Sequence, residues 1–304
     1  MKTLLDGKVK VCMVTGATGG IGKVMAREIA RQGLQVVIVS RYEQRCAATA
    51  AKIRESTSNQ SVDYLAANLS SLKEVRSLAK RFREKYNRLD VLVNNAGGFF
   101  MKRQESQDGI EMTWALNHLS YFLLTNLLLD MLSANAPARV INVSSNAHLG
   151  GSINFNDPGG KQRYFGWTAY AQSKLANLLF TFQLARCMEA SGVTANAFHP
   201  GYVATRFGMN NAGLVGFLIG LSHVFALSPE EGAQTGVYLA TSADVEGVTG
   251  KYFVKEKPVQ AAKAAYDQDT ASRLWELSAQ MTSLKKRTSD RFGSPYDEAE
   301  GDLD

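Results

Sequence analysis

A chain of 304 residues can bury a sizeable core, and 45% apolar with 20% charged residues excludes a disordered polyelectrolyte or a fibrous repeat. The net charge of +6 is dispersed and forms no recognition motif, which excludes nucleic acid as the expected partner and leaves a mildly basic surface open to a polyanionic cofactor. Three scattered cysteines (Cys12, Cys46, Cys187), four scattered histidines (His118, His148, His199, His223), no apolar run of roughly 18 residues and no apolar core in Met1–Lys10 argue against a metal cluster, a disulfide framework, a membrane span and a signal peptide, so a cytoplasmic protein is expected.

Apolar and amphipathic segments alternate along the chain. Val9–Thr15 reads as a buried strand that runs into a glycine-rich turn, TGATGGIG (Thr15–Gly22). Ile21–Gln32 reads as a helix stopped by Gly33, Val36–Val39 as a second strand and Glu43–Glu55 as a second helix. Val62–Ala66, Leu72–Tyr86 and Val91–Val93 continue as strand, helix and strand. After a loop, a long helix is expected from about Ile110 to Leu132, then a strand over Arg139–Val143. A helix from about Thr168 to Ala190 carries Tyr170 and Lys174, and strands over Val193–Phe198 and Lys251–Val254 follow. Repeated β-α units with right-handed crossovers imply an α/β fold, a Rossmann-type doubly wound parallel sheet of about seven strands with helices on both faces. One domain is expected over residues 1–284, followed by a polar, frayed tail over 285–304.

The first turn is suited to a dinucleotide. Gly16, Gly20 and Gly22 are spaced G-x-x-x-G-x-G, which permits a tight turn and lets backbone N–H groups, including those around Thr18 and Ile21, approach a pyrophosphate at a helix N-terminus. The end of the second strand reads Ser40-Arg41. An acid there would bond ribose hydroxyls and repel a 2′-phosphate; a guanidinium binds phosphate, so NADP(H) is expected over NAD(H). Arg41 capping its strand in solvent is the plainer alternative. Asn68, beside Leu69, is expected to hydrogen-bond adenine, and the small residues of Asn95-Ala96-Gly97 to let the cofactor lie close.

Tyr170 and Lys174 stand four residues apart on one helical face. A free tyrosine ionises near pH 10, and bringing it to about 7 takes roughly 4 kcal/mol at about 1.4 kcal/mol per unit. A lysine cation one turn away, together with the charge of an oxidised nicotinamide, can supply this and make Tyr170 a general acid or base.

TGATGGIG, NNAG, Asn117, Ser145, Tyr170-x-x-x-Lys174 and Pro200-Gly201 occur in the order found in short-chain dehydrogenases/reductases, and the chain resembles that family over about Lys8 to Val254. NHLSYFLL (Asn117–Leu124), VSSNAH (Val143–His148), AYAQSKLANLLF (Ala169–Phe180) and FHPGYVATR (Phe198–Arg206) resemble the branch that holds retinol dehydrogenases and the catalytic domain of WW-domain-containing oxidoreductases. That branch often has Asp where this chain has Asn68, and its retinol dehydrogenases often carry an N-terminal membrane segment; the first residues here lack one, which favours a soluble relative.

The resemblance implies roles. Lys174 holds the nicotinamide ribose, Ser145 rather than Ser144 orients the substrate oxygen, and Asn117 holds a water in a proton relay. The Pro200-Gly201 loop covers the nicotinamide, with Val203 and Thr205 contacting its carboxamide. His148 and His199 are read as packing or local hydrogen-bonding residues. A substrate lid is implied at about 202–228, and its apolar stretch 213–227 is read as a lid, a weak membrane contact or core. Tyr164, Phe165 and Trp167 are read as pocket wall or packing. The helices bearing Asn117 and Tyr170 imply a homodimer or homotetramer. The expected function is NADP(H)-dependent interconversion of an apolar aldehyde or ketone and its alcohol. The alternatives are a retinoid- or steroid-specific dehydrogenase and a non-catalytic NADP(H)-sensing protein.

Overall fold

The computed structural model describes residues 4–5, 8–201, 203, 227–286 and 296–298. Strand β1 (Val11–Thr15) is buried at every position because helices cover both faces of the sheet it centres. It is followed by α1 (Gly20–Arg31), β2 (Gln35–Ser40), α2 (Glu43–Thr57), β3 (Val62–Ala66), α3 (Leu72–Lys85) and β4 (Val91–Asn94). A single helical turn, α4 (Met112–Trp114), passes through a π-helical segment (Ala115–Leu119) into α5 (Ser120–Ala134). Next come β5 (Ala138–Val143), α6 (Gly166–Cys187), β6 (Val193–His199), α7 (Pro229–Thr241), β7 (Tyr252–Val254), β8 (Lys257–Val259) and α8 (Gln268–Met281).

The sheet has eight strands in the order β3-β2-β1-β4-β5-β6-β7-β8. Seven run parallel, as the sequence implies, and β8 adds an antiparallel edge to β7. That eighth strand is the difference from the expected seven. It is fully exposed and enters through Lys255-Glu256, both at positive φ, a hairpin turn written without the usual Gly or Asn. One face of the sheet packs Met25 and Ile29 of α1, Ile53 of α2 and Leu239 of α7 against Val14, Ile38 and Ile141. The other packs Phe82 of α3, Phe122 of α5 and Phe180 of α6 against Met13, Leu92 and Val140. Strand order reverses between β2-β1 and β4-β5, which opens a crevice beyond the carboxyl ends of β1 and β4.

A third layer lies outside α5 and α6. Trp275 of α8 meets Phe122 edge-on at 5.1 Å between ring centroids and lies 5.6 Å from Phe180. Tyr266 stacks on Phe182 at 5.0 Å. These contacts help bury α6 along most of its length. Helix α8 thus packs on the same two helices, α5 and α6, that the sequence reading gave to a homo-oligomer contact. Within the expected tail, 296–298 pairs antiparallel with Leu284–Lys286.

His118, in the π segment, is wholly buried under α8, with Nε2 2.8 Å from Ser278 Oγ. Burial pushes its pKa down to about 3. The fold thus holds it neutral, whereas the unfolded chain protonates it below about pH 6.5. Its contribution is complete above that pH and is lost as pH falls toward 3, by up to about 1.4 kcal/mol per unit. Urea denaturation at steps from pH 7 to pH 4 should show a shallower acid loss in His118→Asn than in the parent; equal slopes would contradict this account.

Candidate functional site

At the crevice, glycines let two loops touch. Gly16 turns off β1 at φ +67°, and a Cβ there would stand 2.8 Å from the Cα of Ala96. A Cβ on Gly22 would stand 2.6 Å from the carbonyl oxygen of Gly16 and collide with the Asn95 amide. The loops are then tied together by hydrogen bonds. The Asn95 N–H donates to Thr15 Oγ1 (2.8 Å) and its side-chain amide to the Thr15 carbonyl (2.7 Å). The Ala96 N–H donates to the same hydroxyl at 3.1 Å. Helix α1 starts from Gly19 with no side-chain cap, which leaves its first N–H groups directed at the crevice.

The resulting cleft has a volume of about 990 Å³. Of the expected cofactor residues, Gly16, Thr18, Gly20, Ile21, Gly22, Arg41, Leu69, Asn95, Ala96, Gly97, Pro200, Gly201 and Val203 line it. The Thr18 hydroxyl donates to Ser40 Oγ at 2.9 Å and ties the glycine turn to the end of β2. Among the described residues no Asp or Glu lines the cleft, whereas Lys23, Arg41 and Lys174 do. Asn68 is placed differently. Its Oδ1 accepts from the Ser70 hydroxyl (2.9 Å) and its N–H donates to Glu74 (2.7 Å), so it shapes the entry to α3 while Ala67 and Leu69 form the wall. Val203 pairs with Leu227; Thr205 and 213–226 lie outside the described residues.

At the other end, Ser145, Tyr170 and Lys174 converge. Ser145 leaves β5 and caps a 3₁₀ turn, accepting the Ala147 N–H at 3.2 Å, and it hydrogen-bonds Tyr170. Ser144 is buried, and its hydroxyl is committed to the Lys174 carbonyl at 2.9 Å. Lys174 Nζ lies 5.5 Å from the Tyr170 ring centroid and donates to the Val143 carbonyl at 3.1 Å. Burial drives the two groups toward neutrality from opposite sides. The Tyr170 pKa is pushed up, opposed by the Ser145 hydrogen bond, and that of Lys174 is lowered to about 7. Desolvation is the leading cause of both shifts.

Asn117 stands behind this group rather than in the cleft wall. It is fully buried in the π segment, donates to the Gly98 carbonyl (2.9 Å) and to Ser173 Oγ (3.1 Å), and accepts the Gly98 N–H (2.8 Å). It clamps the loop after β4 to α6. His148 has a comparable supporting place. Its Nε2 accepts the Ala262 N–H at 3.1 Å, so Nδ1 carries the proton and donates to the Ser145 carbonyl at 2.6 Å. Burial lowers its pKa, in keeping with a neutral ring. His199 lines the cleft, and burial lowers its pKa to about 4.

Trp167 reaches the cleft, where Phe99 stands edge-on to it (6.3 Å) and to Tyr170 (5.6 Å). Tyr164 instead donates to the Phe100 carbonyl (2.7 Å), and Phe165 is exposed outside the lining. Sequence reasoning missed Lys23 and Phe99. Both had a local signal: Lys23 directly follows the last glycine of the turn, and Phe99 follows NNAG by one glycine.

The pattern of the short chain dehydrogenase family matches residues 10–213. Human retinol dehydrogenase 13 is 43% identical over 291 residues, which span 93% of this chain and 87% of that protein. A Mycobacterium paratuberculosis protein of known structure superposes with a TM-score of 0.71 at 33% identity, covering 90% of this chain and 93% of its own. The Pseudomonas aeruginosa RhlG/NADP active-site complex gives 0.64 at 30% identity, covering 80% and 93%.

Because the glycine turn has no room for a side chain, Gly22→Ala should destabilise the protein by about 1–3 kcal/mol of overpacking and weaken dinucleotide binding at least tenfold. Thermal melts and titration of nicotinamide fluorescence measure the two effects. Unchanged binding would show that the turn does not touch the cofactor.

Proposed function

The chain belongs to the short-chain dehydrogenase family of oxidoreductases, and from that premise we propose that it interconverts an apolar aldehyde or ketone and its alcohol with NADP(H). The observation that carries the reading is the convergence of Ser145, Tyr170 and Lys174 at one end of a cleft whose other end is a glycine cradle with no room for a Cβ at Gly16 or Gly22. The residues fit a dinucleotide. The cradle at Gly16 and Gly22, the uncapped start of α1, and a lining that among the described residues has Lys23, Arg41 and Lys174 and no acidic side chain suit a pyrophosphate and a further phosphate. Arg41, directly after β2, supports NADP(H) over NAD(H). The similar RhlG structure is one of an NADP complex.

A bound nicotinamide supplies hydride to the carbonyl carbon in reduction and takes it back in oxidation. Tyr170 gives its phenolic proton to the carbonyl oxygen, and in the reverse direction removes the proton of the alcohol. Ser145, already bonded to Tyr170, orients that oxygen and stabilises charge developing on it. Lys174, with a pKa near neutrality, binds the ribose hydroxyls and gains a polar partner beyond the Val143 carbonyl. Asn117 keeps the Gly97-Gly98 backbone at the distance from Lys174 that this needs.

The aromatic wall of Phe99 and Trp167 beside Tyr170 suits an apolar substrate. A retinoid substrate is the second reading, favoured by 43% identity to a protein named retinol dehydrogenase. Cytoplasmic residence and homo-oligomerisation belong to the same proposal. Among the described residues no helix is long and apolar enough to cross a membrane.

Initial rates with NADPH and NADH against aldehydes and ketones of increasing size, retinal and steroids included, test the reading. Turnover is expected with NADPH in preference to NADH. Tyr170→Phe should lower kcat by about 10²–10⁴ with NADPH affinity retained. A Tyr170→Phe protein as active as the parent would remove the tyrosine from the mechanism. Cofactor binding without turnover on any substrate would point to the sensing alternative.

A further inference from the structure

Ser145 opens a short 3₁₀ turn over Asn146–Gly150. Within it Leu149 is 66% exposed, whereas its neighbour His148 is 1% exposed. Packing alone would bury the leucine and spare the imidazole, whose desolvation costs free energy unless its nitrogens are bonded. Both are bonded. Nε2 accepts the Ala262 N–H at 3.1 Å, and Nδ1–H donates to the Ser145 carbonyl at 2.6 Å. That carbonyl also accepts the backbone N–H of His148 at 3.1 Å. Other contacts hold the rest of the turn. The Tyr252 hydroxyl donates to Asn146 Oδ1 at 3.0 Å, and its ring stands edge-on to His148 at 5.1 Å. A Cβ on Gly151 would stand 2.6 Å from the Ala171 carbonyl oxygen, so the end of the turn is pressed onto α6 next to Tyr170. Of these side chains, the His148 ring is the one that acts on the Ser145 peptide.

We propose that His148 is a positioning residue for the reaction: its ring ties the Ser145 carbonyl to the Ala262 backbone and thereby fixes where the Ser145 hydroxyl points. This rests on the role given to Ser145 above. The Ser145 Oγ accepts the Ala147 N–H at 3.2 Å, which leaves the hydroxyl proton free to be aimed at a substrate oxygen and makes it a better donor. Rotation of the Ser145-Asn146 peptide would carry that N–H out of line, and the bond from His148 to the carbonyl opposes the rotation. The far end of the tie is itself anchored. The Ala261 N–H donates to the Tyr266 hydroxyl at 3.0 Å, and the Tyr266 ring stacks on Phe182 of α6 at 5.0 Å. Ser145 is thus referred back, through His148 and the segment before α8, to the same helix that carries Tyr170. Such placement matters because a shift of about 1 Å in a positioned group costs up to about 10² in rate.

Kinetics of the full chain with NADPH and a carbonyl substrate, beside NADPH titration, read the effect. His148→Phe removes the donor and should lower kcat about ten- to hundredfold. KM and NADPH affinity should stay near those of the parent, a split that loss of the fold does not produce. Two amides separate the ends of the ring. His148→Asn sets an N–H where Nδ1–H stands and should recover most of kcat. His148→Gln reaches the place of Nε2, meets the Ala262 N–H with its oxygen and should stay as slow as His148→Phe. A Gln variant that recovers kcat as fully as the Asn variant, or a Phe variant as fast as the parent, would overturn the proposal. A long-range proton–nitrogen spectrum of the imidazole-labelled chain should show His148 as the Nδ1–H tautomer; the Nε2–H tautomer would overturn the proposal without recourse to activity. A parent chain that shows the Nδ1–H signal and binds NADPH but reduces no carbonyl would sink the proposed function, and this role of His148 with it.

Discussion

The constraint on which the cleft depends is the near-contact of two backbones, β1 running into Gly16 and β4 running into Ala96. No side chain fits between them, and Thr15 and Asn95 lock the approach with short hydrogen bonds. That contact fixes the start of α1 and the loop that carries Gly97 and Gly98. Through Asn117 it also fixes the spacing between that loop and α6. A few missing Cβ atoms thus help set the distance between the glycine turn and the Ser145-Tyr170-Lys174 end of one cavity.

A second constraint runs through the sheet. The Asn94 amide donates to Thr125 and to Asn142, Asn142 donates to Thr181, and Asn177 donates to the Val143 carbonyl, with all these side chains nearly or wholly buried. Buried amides stabilise only when bonded, so this chain of bonds tolerates one register between β4, β5, α5 and α6. Lys174 shares the Val143 carbonyl with Asn177. The position of the amine is therefore set by sheet register as well as by its own helix, and a neutral ladder achieves this without placing a fixed charge beside Tyr170 and Ser145.

Much of this was legible in the sequence. The β-α alternation, the family and the parallel sheet followed from apolar periodicity and ordered motifs, because each strand buried on both faces is almost continuously apolar. The glycine turn, Arg41, Asn95-Ala96-Gly97, Ser145 and Pro200-Gly201 lead to the same cleft because they follow strand ends, where topology gathers them, and Tyr170 and Lys174 reach it from α6. What was not legible depended on local competition or on contacts distant in the chain. Asn68 reads as a ligand contact, but its own loop takes up its side-chain oxygen. The π segment has no periodic signature, since a single widened turn leaves the apolar pattern nearly unchanged. The Lys255-Glu256 turn lacks the residues that usually mark positive φ. The cover that α8 lays over α5 and α6 joins segments roughly 100 to 150 residues apart, and the charge state of Lys174 follows from burial, which a helical wheel does not show.

The α8 layer also bears on synthesis. A chain emerging from the ribosome completes every strand of the sheet and the catalytic helix before Trp275 and Leu274 exist to cover them. Until then Phe122 and Phe180 lack the ring of Trp275 as a cover, and exposed apolar surface of this kind favours aggregation. A chain lacking α8 would keep Ser145, Tyr170 and Lys174 and still expose apolar side chains of α5 and α6, which favours aggregation.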